Sequence, residues 1–135
     1  MILGLDHIAI AVPELERAIK RFCEDFQLQH TATEAVTEAQ TMTAFFPVGE
    51  TQIELISPLA DAGPVASSLK KRGPGLHHIC FRSDDILADM ARLQAKGYRF
   101  TTQHPTPGAH GSQVAFIHPK DTEGVLIELN QAAGD

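Results

Sequence analysis

Two histidines and two glutamates interrupt otherwise apolar, alternating stretches of this 135-residue chain: His7 in "LDHIAIAV", Glu54 in "TQIELISP", His78 in "GLHHICF" and Glu128 in "GVLIELNQ". A carboxylate inside an apolar strand is costly unless it is paired or holds a cation. Two imidazoles and two carboxylates make a nitrogen and oxygen donor set for one divalent ion, of the Zn, Co, Ni, Mn or Fe(II) kind. The two carboxylates would also neutralise its charge. Any one of the four alone reads more simply as a capped histidine or a solvated edge-strand glutamate. Their matched spacing is what favours the metal.

That spacing comes from an internal repeat. "LDHIAIAVPELERAIKRF" at 5–22 resembles "LHHICFRSDDILADMARL" at 76–93, and "TQIELISP" at 51–58 resembles "GVLIELNQ" at 124–131. His7 and His78 stand 71 positions apart, Glu54 and Glu128 74. Strand side chains alternate between faces, so His7 shares a face with Ala9 and Ala11, and His78 shares one with Cys80 and Arg82. His77 falls on the opposite face and is expected to be structural.

The elements that must position these groups follow from periodicity. Leu15, Ala18, Ile19, Phe22 and Phe26 form one apolar helical stripe after Pro13. Ile86 or Leu87, Met90 and Leu93 form the second, capped by Ser83 or Asp84 and stopped by Gly97. Strand-like runs follow each helix, at about 28–34, 41–47 and 51–57, then at about 98–103, 112–118 and 124–130. The expected fold is α+β, with two βαβββ modules related by a pseudo-two-fold and forming a curved mixed sheet around the metal site. Residues 1–135 make one domain, with module 1 at about 1–60, a linker helix at about 64–72 and module 2 at about 74–131.

Composition narrows the function. The net charge of −6 argues against nucleic acid or a membrane surface as partner. No apolar run approaches the ~20 residues of a membrane span, and the N-terminus has no basic leader or cleavage site. Cys23 and Cys80 lack CxxC spacing and read as buried free thiols, which points to the cytoplasm. "KKRG" at 70–73 reads as a helix C-terminus dressed with favourable cations. "PGAHGS" at 107–112 is a glycine-bracketed loop that could let a ligand approach the backbone.

Paired βαβββ modules bearing H…E…H…E resemble the vicinal oxygen chelate superfamily, which includes glyoxalase I, extradiol dioxygenases and fosfomycin-resistance proteins. Within it the chain is similar to the methylmalonyl-CoA epimerases, on "LDHIAIAVPELERA", "VGETQIELISPL", "GLHHIC" and "GAHGSQVAFIHPKDTEGVLIEL". This resemblance covers nearly the whole chain. It implies one divalent metal ion (Co, Mn, Ni or Zn) on His7, Glu54, His78 and Glu128, and an acyl-CoA substrate. The implied reaction is α-proton abstraction and return through a metal-stabilised enolate, interconverting (2R) and (2S) forms, with Glu128 and Glu54 as the proton-transfer groups. It further implies substrate contacts at His110, Gly111 and Lys120, and a homodimer. Thr43 stands where one epimerase carries a catalytic glutamate, so the resemblance does not supply that group here. The rival readings are a glyoxalase I-type lactoylglutathione lyase and a non-catalytic small-molecule-binding module. A dioxygenase with two histidines and one carboxylate would have no use for a fourth ligand at Glu54.

Overall fold

The computed structural model describes residues 1–134. The chain divides into two compact units, one of residues His7–His77 and one of Met1–Asp6 with His78–Asp135. Among the described residues there are eight strands and three α-helices, so the α+β class holds. No helix of the described residues is long and apolar enough to cross a membrane.

Strand β1 (Ile2–Ala11), which enters the first unit at His7, leads into helix α1 (Leu15–Glu24), then β2 (Ala32–Val36), β3 (Thr41–Val48), β4 (Thr51–Pro58) and helix α2 (Pro64–Arg72). The strand order is β2-β3-β4-β1, with β1 parallel to β4 and the other pairs antiparallel. Ala18 and Ile19 of α1 pack on Ala44, Phe46 and Leu55, which project from one face of the strands, and Leu15 and Phe22 extend the contact. Burying a leucine- or phenylalanine-sized side chain stabilises by about 1.5–3 kcal/mol, which makes this stripe the unit's main anchor. Phe26 falls outside it. The helix ends at Glu24, and Phe26 is 61% exposed although its ring touches that of Phe22. The other face carries Ala9, Ala11 and Ile56, covered by Val65 of α2. By alternation His7 and Glu54 lie on this second, inner face.

The second unit repeats the plan with β5 (Gly75–Ser83), helix α3 (Ile86–Ala95), β6 (Thr106–Pro107), β7 (Gln113–Ile117) and β8 (Ile127–Gln131). The order is β5-β8-β7-β6, again with one parallel pair, β5 to β8. Ile86 and Met90 of α3 pack on Ala115 and Leu129, while Leu87 points outward at 61% exposure.

Two details depart from the expectation. Asp85, not Ser83 or Asp84, caps α3: its Oδ1 accepts from the Ala88 N–H at 3.1 Å. Ser83 is fully buried instead, donating to Asp89 Oδ2 at 2.5 Å and accepting the Asp85 N–H at 3.1 Å. The strand expected over 98–103 is reduced to one bridge, Phe100 to Ile117, and the paired segment is the short β6. Arg99 explains the loss, because its backbone N–H and guanidinium are both held by Asp121 and do not join a ladder. The stop at Gly97 is as expected. With φ +99 it closes α3 by Gly97 N–H to Gln94 O at 2.9 Å and Tyr98 N–H to Leu93 O at 3.1 Å, the two bonds of a Schellman motif.

Candidate metal centre

Each unit holds one buried histidine–glutamate pair. In the first, His7 Nδ1 lies 3.1 Å from Glu54 Oε2, with 3% and 9% of the residues exposed. In the second, His78 Nε2 lies 2.9 Å from Glu128 Oε1, with 9% and 5% exposed. The registers that create them are alike. Glu54 is opposite Ala9 of β1 and Glu128 is opposite Cys80 of β5, so each histidine sits two residues before the position facing its glutamate. On the far side, Phe45 faces Glu54 and Phe116 faces Glu128. The Phe116 ring meets His78 edge-on, at 5.5 Å and 90°, which holds the imidazole's tilt.

The donors suit a divalent cation. Each pair offers one imidazole nitrogen and one carboxylate oxygen, both largely withdrawn from water. Such a set binds borderline ions through nitrogen and harder ones through oxygen. A buried carboxylate also gains from a nearby cation far more than an exposed one does.

The inner faces extend past these pairs as cross-strand rows. In the first unit the next row runs Ala11, Ile56, Thr43 and Glu34. In the second it runs Arg82, Asn130, Val114 and Thr106. Asn130 Nδ2 donates to the Ser112 Oγ at 3.2 Å, and Ser112 is buried. Ser112, Asn130, Phe116 and Glu34 escaped the sequence reading as site-face residues. Period-two alternation from Glu128 reaches Asn130, so that signal was present. Glu34 needed the pairing of β2, whose span the sequence places too early.

His110 and Gly111 lie in a 3-10 turn before β7, while Lys120 lies in another 3-10 turn after it. The structure therefore puts them at opposite ends of a five-residue strand, about 17 Å long. His110 adopts a left-handed conformation, φ 57° and ψ 31°, and is exposed. Gly108 is glycine for a protein contact: a Cβ there would lie 2.6 Å from Val114 Cγ1 and 2.8 Å from Ser112 Oγ. Lys120 is exposed on a turn that Asp121 fastens to Arg99, with Nη2 to Oδ1 at 2.8 Å and the Arg99 N–H to Oδ2 at 2.8 Å. Those bonds from Arg99 hold the Asp121 carboxyl at about 2. Lys70 pairs with Asp61 at 2.8 Å and Arg72 donates to Ser68 at 3.1 Å, so two cations of the basic cluster are engaged around α2 itself.

Comparison with known proteins places this geometry. Residues 6–116 match the sequence model of the Glyoxalase/Bleomycin resistance protein/Dioxygenase superfamily. The ethylmalonyl-CoA/methylmalonyl-CoA epimerase of Cereibacter sphaeroides is 40% identical over 133 residues, 97% of this chain and 99% of the relative. The crystal structure of methylmalonyl-CoA epimerase from Mycobacterium tuberculosis superposes with a TM-score of 0.94 at 35% identity, covering 98% of this chain and 89% of that one. A Streptomyces coelicolor methylmalonyl-CoA epimerase variant, solved in complex with 2-nitronate-propionyl-CoA, gives 0.95 at 31% identity, covering 99% and 97%.

Proposed function

Because the chain belongs to the glyoxalase/bleomycin resistance protein/dioxygenase superfamily, we propose that it binds one divalent metal ion and interconverts (2R)- and (2S)-methylmalonyl-CoA. One observation carries the reading: a buried histidine–glutamate pair occurs twice, at equivalent registers, in a chain 40% identical over nearly its full length to an epimerase of such thioesters. His7, Glu54, His78 and Glu128 would hold the ion. When bound, it supplies Lewis-acid stabilisation of charge developing on the thioester oxygen, a contribution of roughly several kcal/mol.

The chain's own task is proton movement. Inversion takes a proton from one face of the α-carbon and returns one to the other, so two groups are required. Glu128 serves one side. Glu54, its counterpart in the first unit, is the matching carboxylate for the other, and Glu54→Gln separates moving a proton from only holding the ion. His110, Gly111 and Lys120 are contacts along the CoA, whose length suits groups at both ends of β7. The enzyme is a cytoplasmic homodimer in this reading.

The test follows the α-proton of methylmalonyl-CoA by NMR in D2O, with metal-loaded protein beside a chelator-stripped control. Loss of the signal together with inversion, in the loaded sample alone, is the expected result. No exchange in protein verified to carry metal overturns the epimerase reading and sends the same donors to a glutathione hemithioacetal assay. Failure to retain any divalent metal points instead to a binding module.

A further inference from the structure

Helix α2 carries the chain's only run of three cations, Lys70, Lys71 and Arg72. Its buried side, Val65 with Leu69, covers the inner face of the first unit. Its outer flank borders a cavity of about 260 Å³. Ser67, Lys70 and Lys71 stand at i, i+3 and i+4 and so share that flank, while Gly63 and Ala66 supply a floor of small residues. The wall before the helix is held from outside. Leu59 N–H donates to Gln40 O at 3.0 Å, and Gly63, at φ +96°, comes so near Gln40 that a Cβ would lie 2.7 Å from its Oε1.

The cavity has donors in excess. Its one carboxylate, Asp61, is already met by Lys70 at 2.8 Å. Among the described residues the Lys71 ammonium and the Ser67 hydroxyl make no hydrogen bond or ion pair. Cations that only offset the helix dipole would need neither a cavity nor a carboxylate three residues before the helix begins. Lysine meets a phosphate as a point charge, without the fixed fork that suits a planar carboxylate. The volume lies below the roughly 300–1,000 Å³ of pockets that enclose a whole small ligand, so it suits one group of a larger molecule. We propose that this pocket binds a phosphate group through Lys70, Lys71 and Ser67, with Asp61 competing for Lys70. Its source is the CoA of the substrate, an assignment that rests on the epimerase reading above.

The experiment compares metal-loaded wild type, Lys71→Gln and Asp61→Asn, each checked for a normal melting transition. It measures kcat and KM for methylmalonyl-CoA and for the methylmalonyl thioester of pantetheine, which has no phosphate, and it follows inorganic phosphate binding by phosphorus NMR. Lys71→Gln is expected to raise KM for the CoA ester by about 5–20-fold, the size of one partly exposed charge-assisted contact, and to leave the pantetheine ester unaffected. Asp61→Asn releases Lys70 and should lower that KM by about 2–5-fold. Opposite signs from two neighbours are what a purely structural role would not produce. Equal changes in KM for both thioesters overturn the proposal, and so does wild-type behaviour of both variants toward CoA ester and phosphate alike. If phosphate binding follows the two substitutions while KM for the CoA ester does not, the pocket stands as a site for free phosphate and the CoA assignment falls. A wild type that turns over neither thioester, yet loses phosphate binding in Lys71→Gln, keeps the pocket and fails the epimerase reading itself.

Discussion

The two units share the rows that carry Glu54 and Glu128 and differ in the rows beside them. Ala9, Glu54 and Phe45 in one correspond to Cys80, Glu128 and Phe116 in the other, each with a histidine two positions earlier in the strand. One row further, the first unit has Ala11 and Ile56 on its central strands and places polarity on β3 and β2. The second places a guanidinium and an amide, Arg82 and Asn130, on the central strands, with Val114 beyond. In the proposed reading a metal ion would draw the same donor types from each unit, whereas a chiral thioester needs different neighbours, and the two units differ in the row next to those donors.

The largest effect should come from the ligand rows. Glu128→Gln is expected to lower turnover by about 10³-fold or more, because it removes both a carboxylate ligand and a proton-transfer group. Glu54→Gln, which removes the matching proton-transfer carboxylate, is expected to lower turnover by about 10²-fold or more while metal content stays near normal, since an amide oxygen can still ligate. Wild-type turnover in Glu54→Gln, measured by epimer conversion under saturating metal, would leave Glu54 as a ligand alone and break the symmetric assignment. Core truncation sharpens the comparison next. Leu55→Ala and Leu129→Ala remove equivalent fully buried side chains, and each should cost about 2–5 kcal/mol in urea unfolding. Two separate transitions rather than one would show that the units unfold independently.

The smallest effect concerns the two hairpin connections. Asp121 is held at about 2 in the second unit, chiefly by the Arg99 side chain, whereas the first unit joins β3 to β4 through Gly49 and Glu50 alone. A carboxyl depressed in the folded state stabilises above its unfolded value and loses that contribution as pH falls. Asp121→Asn should therefore lower the melting temperature by a few degrees at neutral pH, and the difference from wild type should vanish between about pH 4 and pH 2. A gap that persists at pH 2 would mean that the amide disturbs the turn for another reason.

Strict alternation made much of this legible in the sequence. A period of two leaves no freedom once one apolar face is assigned, so alternation alone puts His7, Glu54, His78 and Glu128 on the face opposite their apolar neighbours. Helix α3 and its stop at Gly97 were readable because backbone chemistry dictates them. What escaped depends on partners distant in sequence. Glu34 lies at the margin of the expected strand 28–34, and only its pairing with Thr43 brings it to the inner face. Near residue 100 the Arg99 carbonyl keeps one ladder bond, from the His118 N–H, while the Arg99 N–H goes to Asp121, 22 residues away, and the pairing stops at a single bridge. The cap at Asp85 rather than Asp84 was decided by Ser83, which is withdrawn into the core to serve Asp89.

The two-residue link between Val48 and Thr51 bears on how such a chain can change length over generations. A single insertion there would shift β4 by one place and turn Glu54 toward α1, away from His7. The connection after β7 has slack of its own, with a 3-10 turn anchored independently by Asp121. Drift in length should accordingly accumulate at 119–125 and be purged at 49–50, so the same hairpin evolves under opposite tolerances in the two halves of one protein.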